Sequence, residues 1–224
     1  MTRAFVIGNG PSLRDTPLDK LQGEVTFAMN RINLRYPHVE WRPTYYLAFD
    51  WTGPHMLEDT LINVEAAEHS FIRADRANEV ELARRGFEWP PRVSYLWSCR
   101  SHVACNVDST NRPIGWHLPN VCAYGSTLNV AVQMAAMMGH NPIILLGCDL
   151  GFRSFVAGEP DPNHFDPDYI GWDDFPIETR DATLLHMHGV MERETRALGF
   201  LVLNATVGGA LEVHRRVDLV EVLR

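Results

Sequence analysis

The sequence predicts an α/β fold, a Rossmann-like and mostly parallel sheet flanked by helices, in a single domain over residues 1–224. Three observations predict it. Short apolar runs such as Ala4-Phe5-Val6-Ile7 and Ile143-Ile144-Leu145-Leu146 show no alternation, as expected of strands buried on both faces. Segments of helical character separate these runs. Polar residues gather just after the runs, at the strand ends where ligands of such sheets bind.

The elements follow in order. Ala4 to Ile7 is the first strand, running into Gly8-Asn9-Gly10-Pro11-Ser12-Leu13. Leu18 to Leu21 is a short helical piece. Val25 to Asn30 and Thr44 to Asp50 are the second and third strands. Helical character covers Pro54 to Ala67, and Ser70 to Ile72 is a further strand. Between 74 and 120 the readable parts are a helix near Asn78 to Arg85 and a strand at Val93 to Leu96. Pro90, Pro91, Pro113 and Pro119 interrupt the rest. Ser126 and Thr127 cap a helix that runs through Met138 and stops at Gly139. Pro142 to Gly147 is the most apolar strand, and Asp149, placed after a fifth or sixth strand, follows it. Residues 151–182 are polar, aromatic and proline-rich, and a loop of that length reads as a lid. Thr183 to Leu198 is a helix stopped by Gly199. Phe200 to Asn204 is a strand, and Asp218 to Leu223 a last short helix.

Composition narrows the function. The net charge is −8, which argues against a large nucleic-acid face. The 46% apolar and 21% charged content excludes global disorder. No run of 18 apolar residues occurs, so no integral membrane segment is expected, and the N-terminus reads as a strand rather than a signal peptide. Cys99, Cys105, Cys122 and Cys148 form no C-x-x-C pair, which argues against zinc and for buried thiols in the reducing cytoplasm.

Several candidates carry chemistry. The Gly8-Asn9-Gly10-Pro11-Ser12 turn can bring backbone N–H groups to a phosphate, although it is neither a Walker A loop nor a G-x-G-x-x-G fingerprint; the alternative is a plain tight turn. Asn30 can contact a ribose or base edge, and Asp50 ribose hydroxyls or Mg²⁺; both also suit ordinary turns. Tyr124-Gly125-Ser126-Thr127 opens a helix whose N-terminus suits an anion, or Ser126 is simply its cap. Gly147 and Asp149 sit at a strand end, where Asp149 is a switch-point carboxylate, a Mg²⁺ ligand with Asp50, or a loop cap. His164, in the lid-like loop, is a candidate general base or a surface histidine. Phe165, Tyr169 and Trp172 stack on a sugar or base, or pack the lid. Trp41, Tyr45, Tyr46 and Trp51 read mostly as core. His186 and His188, two apart on one helix, face different ways and make no metal pair.

Taken in order, Gly8-Asn9-Gly10-Pro11-Ser12-Leu13, Asn30, Asp50, Tyr124-Gly125-Ser126, Leu146-Gly147-Cys148-Asp149-Leu150, His164-Phe165 with Tyr169, and Asn204-Ala205-Thr206-Val207-Gly208-Gly209-Ala210 resemble the MptE-like family. That family includes archaeal 6-hydroxymethylpterin diphosphokinases and Maf-type flagellin glycosyltransferases. The layout is also similar to bacterial CMP-sialic-acid sialyltransferases, which begin with the same glycine turn. The resemblance spans nearly the whole chain, weakly over 55–120. It implies that Asn9, Asn30 and Ser126 hold the cytidine nucleotide and donor sugar. Asp50 stands where the sialyltransferases have asparagine, and Trp172 stands where their catalytic histidine would follow Tyr169-Ile170-Gly171, so His164 is the substitute base.

These readings converge on a nucleotide-dependent transferase, foremost a glycosyltransferase using a CMP-type activated sugar. The runner-up is a Mg²⁺-dependent pyrophosphokinase using ATP, with Asp50 and Asp149 on the metal. The third is a non-catalytic nucleotide-binding subunit. No firm cofactor is expected beyond optional Mg²⁺. The partner is a nucleotide-activated small molecule, not nucleic acid, and the oligomeric state stays open, with a homo-oligomer among the options.

Overall fold

The computed structural model describes residues 2–49, 56–74, 88–99, 118–122, 125–155, 159–169 and 177–224. Its centre is a sheet of nine strands. They are β1 (Ala4–Ile7), β2 (Val25–Met29), β3 (Tyr45–Ala48), β4 (His69–Arg73), β5 (Val93–Cys99), β6 (Asn120–Cys122), β7 (Ile143–Leu146), β8 (Val202–Asn204) and β9 (Arg215–Arg216). The order across the sheet is β6-β5-β4-β3-β2-β1-β7-β8-β9, and every neighbouring pair is parallel. Four α-helices accompany it among the described residues: α1 (Met56–Ala66), α2 (Thr127–Met137), α3 (Ile177–Ala197) and α4 (Leu219–Val222). This is the α/β, Rossmann-like architecture that the buried apolar runs require.

Each central strand divides its side chains between two cores, because successive residues point to opposite faces. Ala4, Val6, Phe27, Met29, Ile143 and Leu145 face the α2 and α3 side. Phe5, Ile7, Ala28, Ile144 and Leu146 face the other side. There they meet Leu13, Leu18 and Leu21 from two short 3₁₀ helices (Pro11–Asp15 and Leu18–Leu21), Ile32 and Trp41, and Val64 of α1. A helix apolar all round belongs inside, and in α2 every residue from Thr127 to Ala136 is buried. Its Gln133 exchanges amide hydrogen bonds with the Cys122 backbone, holding β6 to the helix.

Several expectations need correction. Asp149 follows the seventh strand, not a fifth or sixth, because β6 escaped notice. β6 and β9 hold three and two residues, too few to show a pattern. Helix α3 begins at Ile177, six residues before the expected Thr183, so the lid-like loop is shorter than 151–182. The start signal was Pro176 followed by Glu178. The last main strand starts at Val202 rather than Phe200. The helix expected near Asn78 to Arg85 lies outside the described residues. Cys122 and Cys148 are free and buried. Among the described residues, no helix is long and apolar enough to cross a membrane.

Candidate functional site

The chain lays β1 to β6 outward on one side, then returns to place β7 against the free side of β1. The connections leaving β1 and β7 therefore diverge, and a crevice opens beyond their carboxyl ends. A cleft of about 320 Å³ lies there. It gathers Gly8, Asn9, Gly10, Asn30, Ser126, Gly147, Asp149, His164 and Tyr169, nine of the residues singled out from sequence. Ser12 stands just behind the wall. Asp50, Tyr124 and Trp172 lie outside the described residues.

The floor is a crossing of two backbones. Gly8 N donates to Leu146 O at 2.7 Å, and Gly10 N to Gly147 O at 2.9 Å. A Cβ on Gly8 would sit 2.5 Å from Gly147 O, and one on Gly10 would sit 2.0 Å from Asp149 Oδ2. Gly147 also has φ +65°, where a side chain is strained. The glycines are there for close approach. Asp149 accepts from Ser12 Oγ at 2.9 Å and from Ser12 N at 3.3 Å, pinning the turn. Burial pushes its carboxyl above the ordinary range, while the Ser12 bonds pull it back. Burial, then the neighbouring Asp149, push the Cys148 thiol up, so it is an inert core group rather than a nucleophile. Asn204 and Thr206 are structural: Asn204 bridges Leu211 O and Thr206 N, and Thr206 Oγ1 accepts from Cys148 N.

The loop at 161–169 forms one wall. Phe165 N donates to Asn9 O at 3.0 Å, and Arg14 Nε donates to Phe165 O at 2.9 Å, so the loop is tied to the glycine turn. Phe165 and Tyr169 are both buried, which makes them packed wall rather than a loose lid. Tyr169 takes a hydrogen bond from Asn9 Nδ2 at 3.2 Å and stacks on His164 at 3.9 Å between ring centroids, 9° from parallel. Arg31 lies over the Tyr169 ring, 5.5 Å from its centroid. His164 Nδ1 meets Asp161 Oδ2 at 2.8 Å, and Asp161 Oδ1 accepts from Asn163 N at 2.8 Å. The carboxylate fixes the ring: in the neutral imidazole it holds the proton on Nδ1 and leaves the lone pair on Nε2. That is the geometry of an oriented general base.

Opposite stands the N-terminus of α2. Ser126 is its cap, accepting from Leu128 N at 3.2 Å while also lining the cleft. Buried side-chain atoms without a partner lie around the cleft: Asn9 Oδ1, Asn30 Oδ1 and Thr127 Oγ1. Asn30 is held at φ 50°, a left-handed conformation that asparagine tolerates. Its carbonyl accepts from Tyr46 Oη and Asn63 Nδ2.

Four features were missed from sequence. Arg73, at the end of β4, and Arg180, in the first turn of α3, bring positive charge to the cleft. Asp161, the partner of His164, was passed over. His188, read as bland, lines the cleft as well. Its Nδ1 lies 3.3 Å from His214 Nε2, and His214 Nδ1 lies 3.0 Å from Glu192 Oε2. Burial, then the neighbouring His214, push His188 down to about 3; burial also lowers His214 against the opposing pull of Glu192.

Each Asp149 oxygen already accepts from Ser12, and among the described residues no cluster of three or more acidic, histidine or cysteine side chains is placed to hold an ion. Compared with protein-family models and with curated protein sequences, the chain gives no match.

Proposed function

We propose that this chain is a nucleotide-dependent transferase, a glycosyltransferase using a nucleotide-activated, CMP-type sugar, as its resemblance to the MptE-like family and to the CMP-sialic-acid sialyltransferases implies. One observation carries the reading: a switch-point cleft joins an anion-binding wall to an oriented base. The wall comprises the α2 N-terminus, Arg73 and Arg180; the glycine turn beside them spends its Gly8, Gly10 and Ser12 N–H groups on the fold and serves to let the two backbones approach. The base is His164, aligned by Asp161.

The step is a direct displacement. The acceptor hydroxyl attacks the sugar carbon and gives its proton to His164 Nε2. The bond from that carbon to the phosphate oxygen breaks, and its electron pair leaves with the nucleotide. Arg73, Arg180 and the N-terminus of α2 stabilise that leaving charge. Asn9, Asn30 and Thr127, with unpartnered atoms beside the cleft, are placed to bond the nucleoside and sugar. The buried free thiols of Cys122 and Cys148 support a cytoplasmic setting.

The test is a thermal-shift panel of CMP, CDP, UDP, GDP, ADP and ATP, each with and without Mg²⁺. CMP or CDP at a hundred times Kd should stabilise by about 2.7 kcal/mol, roughly 5–10 °C for a chain this size, without metal. Stabilisation by ATP that requires Mg²⁺ would replace this reading with pyrophosphoryl transfer. No shift with any nucleotide would overturn it.

A further inference from the structure

The buried Glu192–His214–His188 chain ends at the cleft. Its polarity can be assigned from one end. Arg196 donates to Glu192 Oε1 at 2.5 Å, and a carboxylate beside it only accepts. His214 therefore carries its proton on Nδ1, facing Glu192 Oε2, and presents a bare Nε2 to His188. His188 must then carry its proton on Nδ1 to donate to His214. The nitrogen left over is Nε2, as a lone pair.

We propose that His188 is the specificity-determining acceptor of the cleft, whose bare Nε2 receives a hydrogen bond from an O–H or N–H donor of the bound ligand, with His214 and Glu192 as positioning residues that lock its tautomer. The inference rests on the nucleotide-site reading above. His188 is 5% exposed and His214 1%, so solvent cannot easily reset either ring. The charge influence on His188 comes from His214, and that on His214 from Glu192. Helix α2 and strand β8, which pack on α3, carry no titratable side chain. Arg180, on α3 itself, and Asp149 also line the cleft. The downward shift of His188 keeps the lone pair free throughout the neutral range, unlike a surface imidazole. A protonated histidine would attract any phosphate. A neutral acceptor selects instead for a ligand group that can donate, either a sugar or ribose hydroxyl or the exocyclic amine of a base.

Glu192→Gln tests this with little change in shape. Arg196 will hold the new carbonyl oxygen, which turns the amide NH₂ toward His214. The chain then reverses, and His188 Nε2 becomes an N–H donor. In ¹⁵N-histidine NMR the wild-type protein should show His188 protonated on Nδ1 with an unprotonated Nε2, and Glu192→Gln the opposite. Affinity for the nucleotide found in the thermal-shift panel should fall about ten- to hundredfold in Glu192→Gln. The 2′-deoxy, 3′-deoxy and deaminated analogues of that nucleotide, and its sugar conjugate, identify the donor: the one it comes from will lose the wild-type advantage. An Nε2–H tautomer or a charged ring in the wild type at neutral pH overturns the inference. So does a wild-type tautomer as assigned with equal ligand affinity in both proteins. If no nucleotide binds the wild type, the transferase reading fails and this inference falls with it.

Discussion

Replacing Gly8 with alanine probes the backbone crossing on which the cleft is built. The new Cβ would lie 2.5 Å from Gly147 O, a backbone atom that cannot swing away. Ordinary contact begins at 3.4 Å, so β1 and β7 would have to part by about 0.9 Å. The Gly8 N to Leu146 O bond, 2.7 Å long, would then stretch past the usual limit of about 3.2 Å. Overpacking of about 1–3 kcal/mol and one weakened backbone bond of about 1 kcal/mol give a loss of roughly 2–4 kcal/mol. For a chain of this size the melting temperature should fall by roughly 5–15 °C. The control is Gly189→Ala on α3, whose Cβ would meet nothing within 4 Å. It should stabilise by about 0.5–1 kcal/mol through helix propensity. Guanidinium unfolding of both variants is the assay. Gly8→Ala within about 0.5 kcal/mol of wild type would refute the close approach of the two strands.

Three further outcomes follow from the site. His164→Ala should lower turnover about 10²–10⁴-fold, measured on sugar conjugates of the nucleotide named by the panel at a temperature where the variant is folded; unchanged turnover would dismiss His164 as the base. Asp149→Asn should be at least as stable as wild type at pH 7. The folded carboxyl binds its proton more tightly than the ordinary value of 3.8, so wild-type stability falls as pH rises from 3.8 through the folded value, and the amide removes that fall; an identical pH slope in both proteins counts against it. His188 runs the other way. Its folded value near 3 lies below the unfolded 6.5, so it contributes stability above pH 6.5 that is lost on acidification, by up to about 1.4 kcal/mol per pH unit; His188→Gln should flatten the melting curve between pH 6.5 and 4.

The sheet was legible where burial on both faces left a signature, as in Ala4 to Ile7 and Ile143 to Leu146. The glycine turn and Ser126 were legible because close approach and capping restrict residue type. Arg73 and Arg180 were not, since an arginine on a strand end or helix turn is ordinarily a surface charge. His164 was legible by its place in the loop, but Asp161 was not, since a carboxylate three residues away in an irregular loop has no period that would place it against the ring. The Glu192–His214–His188 chain joins α3 to a loop 22 residues beyond Glu192, and no local pattern reports such a contact. Tyr169 was expected as a lid aromatic, yet its hydroxyl and ring are engaged by Asn9 and His164, which only tertiary packing could tell.

The order of the sheet has a consequence for how the chain comes into being. β1 is made first and ends in the middle, but its second flank waits for β7, which begins at residue 143. At ordinary rates of synthesis, roughly 10–30 s separate the two. Throughout that interval a strand of four apolar residues has unpaired N–H and C=O groups along one side, a template for any other nascent strand. The same feature that places a crevice at the heart of the molecule leaves its youngest form with an open edge at its centre.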